Sequence, residues 1–326
     1  MLRFCRTAPD IEQSTIRNFA RDVGVSTLTA GILLSRGITT PASAEAFFNL
    51  RLDMLYNPML LMDMDKAVAL IKRSLSEPIC VYGDYDADGI SAVTILYNHF
   101  TNLGADVRCY IPTRDEGYGV NAAAIREIAG SGVKLLITVD CGITNHKEIS
   151  LASELGMQVI VTDHHQCLDT LPQCAAVIDP ARSDDTYPYD KLCGAGVALK
   201  LVQALSGTQV LYDYIDVAAL ATVADIVPLT GENRIIAAEG LKKINSPDVA
   251  LGIKALIDVS YSNDCIIDSR KLAFEIAPRI NAAGRIDDRR LALSLLLSKT
   301  YDEALTYAQE LNNKNAERKQ LESAIL

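Results

Sequence analysis

Up to residue 77 the apolar positions recur with helical spacing. TTPASAEAFFNL (39–50) reads as a helix opened by Pro and Ser, and DMDKAVALIKRSL (63–75) as an amphipathic one opened by Asp. From Ile79 the pattern changes to short β-prone runs: ICVYGD, DVRCYIP, KLLITVD, MQVIVTD and AAVID. Helical stretches over 91–103, 121–129 and around 146–155 fall between the first four of them. This alternation predicts an α/β fold: a doubly wound, mainly five-stranded parallel sheet with helices on both faces. A helical N-terminal lead-in over 1–77 is expected before an α/β domain over 78–300, and a helical C-terminal end over 301–326 after it.

Four of the five runs end in aspartate, at Asp84, Asp140, Asp163 and Asp179. In an open α/β sheet ligands bind beyond the carboxyl ends of the strands, where residues far apart in sequence converge. Any one of these acids could merely cap the following helix. Capping needs one carboxylate apiece, however, and here Asp84, Asp86 and Asp88 alternate in one stretch while Asp163 precedes His164 and His165 in another. GDYDADG fits the first half of a calcium-binding EF-hand loop, but the twelfth position, which needs a bidentate Glu, is Ile95. The stretch also follows a strand-like run and not a helix.

Composition narrows the setting. A chain of 326 residues that is 49% apolar can bury a sizeable core, divided into about two units. The eight cysteines include no C-x-x-C pair, which favours neither a zinc site nor a disulfide framework and suggests a reducing cytosol. With no signal-peptide pattern and no apolar run of membrane-spanning length, a cytoplasmic protein with no membrane partner is expected. The net charge of −10 argues against a polyanionic partner, but bound divalent cations would offset the clustered acids, and a local basic face matters more than the sum.

Three further stretches carry candidate chemistry. In VTDHHQ two of the four histidines stand side by side after a strand, so one can ligate a metal while the other faces a substrate. VDCGI sets Asp140 beside a sharp turn, and TVADIVPL sets Asp225 in apolar company, where an acid needs a partner. The assembled set is Asp84, Asp86, Asp140, His164 and Asp225, with Asp88 and Asp163 as supports. Such acids repel one another, and without cations some would take up protons near neutral pH. Oxygen-rich ligands with an imidazole favour Mn2+ or Mg2+, and the number of ligands suits two ions. Two ions about 3.5–4 Å apart activate water and clamp both oxygens of an in-line displacement at phosphorus.

GDYDADG, VDCGI, TDHH and ADIVPL, in this order, resemble the motifs of the DHH phosphoesterase superfamily. YIPTRDEGYG, CGAGVALKL and APRINAAGRI narrow the resemblance to the RecJ group of single-strand-specific 5′→3′ DNA exonucleases. The resemblance implies a catalytic DHH domain, hydrolysis of single-stranded DNA to mononucleotides, and a role in recombination and repair. It implies that Asp84 and Asp140 hold one metal, that Asp86, Asp140, His164 and Asp225 hold the other, and that His165 faces the scissile phosphate. Some superfamily members carry a histidine where this chain has Cys80, which implies weaker binding of the first metal. By the same analogy Arg114, Arg279, Asn281 and Arg285 contact DNA phosphates. Single-strand-binding protein and a helicase are implied partners.

Two other functions compete. Relatives that hydrolyse nanoRNA, cyclic dinucleotides or pyrophosphate share the metal chemistry, and inactive replication scaffolds keep the fold but lose metal ligands. The full acidic and histidine set speaks against the second. The last stretch, YDEALTYAQELNNKNAERKQLESAIL, is helical without a stop signal and is expected to lead toward a second domain, so this chain is expected to keep the metal site and bind DNA weakly.

Overall fold

A computed structural model describes residues 11–261, 265–283 and 290–325. They fall in two compact units, divided after Arg51. The smaller one is three helices, α1 (Gln13–Val23), α2 (Thr27–Ser35) and α3 (Pro41–Phe48). Ser26 caps α2, and Thr40 caps α3 with Pro41 in the first turn. Ile16, Phe19, Ala30, Leu33 and Ala44 form its core.

The larger unit opens with two 3₁₀ turns (Leu52–Met54 and Pro58–Leu60) and α4 (Met64–Ser74), then builds a sheet from β1 (Ile79–Gly83), β2 (Val107–Tyr110), β3 (Leu135–Val139), β4 (Gln158–Thr162) and β5 (Ala176–Ile178). All neighbours pair in parallel, in the order β2-β1-β3-β4-β5, with Ile79 in register with Val107 on one side and Leu135 on the other. The expected five-stranded parallel sheet is therefore present. Winding reverses between β1 and β3, which makes their carboxyl ends the natural crevice of the fold.

Helices cover both faces. Cys80 and Tyr82 of β1, Leu136 of β3, and Val159 and Val161 of β4 pack under α6 (Ala122–Gly130) and α7 (His146–Glu154). On the opposite face lie α5 (Ala87–Asn102) and α8 (Gly194–Ser206), with α9 (Ile215–Ala224) and α10 (Gly231–Ile244) stacked beyond them. Ile90, Val93, Ile95, Leu96 and Phe100 are all buried, as a helix held between a sheet and other helices requires. The chain continues through α11 (Leu251–Ser260), α12 (Ser269–Lys271), a π-helical segment (Leu272–Ile276), α13 (Ala277–Ala283), α14 (Leu291–Leu297) and α15 (Tyr301–Ile325).

One boundary differs from the sequence reading in a way that matters for the site. The helix expected from residue 91 starts at Ala87, because Asp86 caps it: its Oδ1 accepts from the amides of Asp88 and Gly89 at 2.8 and 3.0 Å. Asp86 is thus a helix cap as well as a member of the acidic set.

The wall behind α8 is held by a buried ion pair. Lys200 is fully buried, with its Nζ 3.0 Å from Glu232 Oε1 and 2.6 Å from the Tyr56 carbonyl. Glu232 also accepts from the Tyr56 amide and the Tyr187 hydroxyl. Removing one partner of such a pair strands the other charge in a dry interior. Lys200→Met is expected to lower stability by about 3–5 kcal/mol in urea unfolding, whereas a change below about 1 kcal/mol would mean that water reaches Glu232.

Candidate metal centre

Asp84 follows the last residue of β1 and is buried; its Oδ1 has no hydrogen-bond partner among the described residues. A buried carboxylate oxygen left alone is costly unless a proton or a cation meets it. Burial and the neighbouring Asp86 charge push Asp84 up to about 7. Asp86 is also raised, by burial and by Asp88.

Asp140 follows β3 with a left-handed backbone, φ 56°. That conformation is uncommon outside glycine. It is raised well above the ordinary carboxylate range by full burial and by the charges of Asp88 and Asp86. Gly194, the first residue of α8, lies against it: a Cβ at Gly194 would sit 2.6 Å from Asp140 Cβ. Gly89 plays the same part for Asp84, whose backbone nitrogen and oxygen would be 2.6 Å from an added Cβ. Any side chain at either glycine would push an acid out of place.

His164 Nε2 is 3.0 Å from Asp140 Oδ1, 3.6 Å from Asp88 Oδ2 and 3.8 Å from Asp225 Oδ2. Asp225 comes from the end of α9, and burial with the Asp88 charge raises it to about 6. Ligand atoms lie within 4.8 Å of one another in three overlapping groups: Asp84, Asp86 and Asp140; Asp88, His164 and Asp225; and Asp140, His164 and His165. Asp140 and His164 belong to two groups each, so the three groups form one continuous set of donors. Oxygen donors dominate, which suits Mg2+ and Mn2+ chemistry.

Asp88, although a member of one of these groups, is already engaged, as are Asp163 and Asp179 outside them. Asp88 accepts from the amides of Gly194 and Ala195 at 2.6 and 2.8 Å, tying α5 to the start of α8. Asp163 accepts from the amides of Ile143, His164 and His165 and from His165 Nδ1 at 2.7 Å. Burial raises Asp163, but the His165 hydrogen bond and charge, together with the amides of Ile143 and His164, leave the acid lowered. That same hydrogen bond raises His165. Asp179 accepts from Ala181 and Cys167 and lies outside the three groups.

Cys80 sits in the apolar layer under α6 and α7, its thiol pushed up to about 12 by burial, and it contributes to none of the three groups. Of the four expected phosphate-contacting residues, two are described with their side chains. Arg114 opens a single 3₁₀ turn after β2, and its side chain lies outside the described residues, as does Arg285 entirely. Arg279 is half-buried, donating from Nε to Asn312 Oδ1 at 2.9 Å and from its guanidinium to the Glu275 carbonyl. Asn281 accepts from the Ala87 amide at 2.8 Å.

Sequence reasoning did not single out Tyr118. Its hydroxyl reaches His165 Nε2 at 3.1 Å and the Asp140 carbonyl at 3.3 Å, while its ring is half-exposed. The signal was the pair of flanking glycines, Gly117 and Gly119, both with positive φ. They let the loop fold over the site.

A parallel sheet with acids and an imidazole gathered at its switch point makes a candidate metal centre, and comparisons with known proteins name the family. The model of the DHH family's N-terminal domain matches residues 78–223. The single-stranded-DNA-specific exonuclease RecJ of Bacillus subtilis is 38% identical over 317 residues, covering 96% of this chain and 40% of that protein. The Thermus thermophilus protein of the same name is 42% identical over 268 residues, covering 80% of this chain and 39% of its own length. A crystal structure of exonuclease RecJ bound to manganese superposes with a TM-score of 0.74 at 40% identity, covering 83% of this chain and 69% of that one. The Mn2+ complex of RecJ from Thermus thermophilus gives 0.83 at 34% identity, covering 97% and 46%. The chain belongs to the DHH family and, within it, to the RecJ group. It spans about two fifths of the length of these curated relatives.

Two outcomes follow from this geometry. Gly194→Ala is expected to cut Mn2+ affinity at least about tenfold in calorimetry, with circular dichroism unchanged; undiminished affinity would show that Asp140 can shift freely. The second concerns pH. Asp84 and Asp225 have folded values near 7 and 6, above the unfolded value of about 4. Between those limits these two carboxylates hold more protons in the cation-free fold than in the unfolded chain, so the stability they contribute falls as pH rises from about 4 toward 7. Saturating Mn2+ replaces those protons and should reverse the slope in urea unfolding; the same slope with and without Mn2+ would contradict the assignment.

Proposed function

We propose that this chain carries the catalytic core of a divalent-metal-dependent exonuclease that hydrolyses single-stranded DNA. The observation that supports this most is the continuous cluster of Asp84, Asp86, Asp140, His164 and Asp225, in which a buried oxygen of Asp84 has no hydrogen-bond partner among the described residues. The family relationship supports the substrate, since the relatives are named single-stranded-DNA-specific exonucleases. Mn2+ and Mg2+ are the cofactors proposed here, because related RecJ structures carry each of them. The 5′→3′ direction, and partnership with single-strand-binding protein and a helicase, rest on the motif resemblance. No described helix is long and apolar enough to cross a membrane, in keeping with a cytosolic setting for such an enzyme.

In this reading Asp84 and Asp140 would hold one cation, and Asp86, Asp140, His164 and Asp225 the other. When bound, such cations acidify water and neutralise charge on the phosphoryl oxygens. Asp88 and Asp163 fix the frame, since their oxygens are occupied by backbone amides. His165, held by Asp163 and raised toward the charged form, offers a donor to a phosphate oxygen. In the free site His165 Nε2 faces the Tyr118 hydroxyl, whose place a phosphate oxygen would take.

The test uses single strands labelled at the 5′ or the 3′ end, with and without Mn2+, beside dinucleotides and pyrophosphate. Metal-dependent release of mononucleotides from the 5′ end is expected, with Asp140→Ala about 10³-fold slower or worse. Preferential turnover of the small substrates would replace this function with that of another DHH branch.

A further inference from the structure

The first turn of α5 carries the acids of the first motif, and its exposed amides must find acceptors. Asp86 Oδ1 takes those of Asp88 and Gly89, and the Ile90 amide goes to the Asp86 carbonyl. That leaves the Ala87 amide, which donates to Asn281 Oδ1 at 2.8 Å across 194 residues of sequence. Because that donor is a backbone N–H, the acceptor must be the amide oxygen of Asn281, which fixes how the carboxamide is turned.

The consequence lies in the peptide unit. The Ala87 nitrogen belongs to the planar peptide that joins Asp86 to Ala87, so holding its N–H fixes that plane and with it the backbone torsion of Asp86. The Asp86 side chain then has one oxygen spent on the helix and, among the described residues, no hydrogen bond to the other, which could meet a cation. On the other side, α13 is anchored to α15 by Arg279 and Asn312, and it follows the π-helical segment Leu272–Ile276. Interruptions of this kind recur at functional sites.

We infer that Asn281 is a positioning residue for the metal centre, holding Asp86 in ligating geometry through the Ala87 amide instead of binding DNA phosphate. This rests on the metal-centre reading above. Groups that orient metal ligands typically change affinity about 10–100-fold when removed.

The experiment titrates Mn2+ into the full chain by calorimetry without DNA, then measures kcat and KM on single strands. Asn281→Leu keeps the volume and removes the acceptor. It is expected to bind Mn2+ about tenfold more weakly and to lose kcat, with KM for DNA unchanged. Asn281→Asp, whose carboxylate accepts the same N–H, is expected to restore Mn2+ affinity. Should the Leu variant fail to fold, Asn281→Ala is read in the same way. Wild-type Mn2+ affinity in the Leu or Ala variant, with KM for DNA raised, would overturn the inference and make Asn281 a phosphate contact. If the unaltered chain binds no Mn2+ at all, the metal-centre reading fails first, before any variant is compared.

Discussion

Mutual repulsion among buried carboxylates is the constraint around which this fold is arranged. Asp84, Asp86 and Asp140 converge at the ends of two adjacent strands, and burial is the largest cause of the upward shift of each. Charges brought so close in a poorly hydrated place cannot all persist without compensation. Asp88 and Asp163 meet the same difficulty by a different route, since backbone amides and an imidazole engage their oxygens. The acids of this site thus divide into those satisfied by protein and those that need something else. The second group is the one a divalent cation would complete.

The surrounding backbone is shaped to keep these acids in place. Asp140 adopts a left-handed conformation next to a strand end, and Ile226, immediately after Asp225, does so as well, with φ 60°. For a β-branched residue this is strained, and such strain persists only where surrounding structure enforces it. Helix N-termini help: α5 presents its first amides to Asp86, and α8 presents Gly194 and Ala195 to Asp88. Both helix dipoles favour negative charge where the acids gather. Small residues are equally necessary, because Gly89 and Gly194 leave no room for a Cβ beside Asp84 and Asp140.

Much of this was legible in the sequence because the signals were periodic or local. Apolar runs closed by aspartate gave the strands and their carboxyl ends, and the five-stranded parallel sheet followed. The convergence of Asp84, Asp140 and His164 could be argued from topology alone, since ligands gather at a switch point. Less legible was anything that depends on contact between distant segments. The start of α5 was missed because Asp86 is both cap and candidate ligand, two uses that the same residue type advertises identically. The resemblance sets Cys80 where some relatives carry a histidine, and strand alternation directs it into the layer beneath α6 and α7. Asn281 read as a phosphate contact because it stands among arginines. Its bond to Ala87 becomes visible only once α13 lies beside α5.

The most direct measurement of the central claim is anomalous diffraction at the manganese edge from crystals of this chain grown with Mn2+. The account predicts scattering peaks within coordination distance of Asp84, Asp86, Asp140, His164 and Asp225, with Asp140 touching more than one. Peaks confined to other surfaces, with the carboxylates of Asp84 and Asp140 empty at saturating Mn2+, would contradict it.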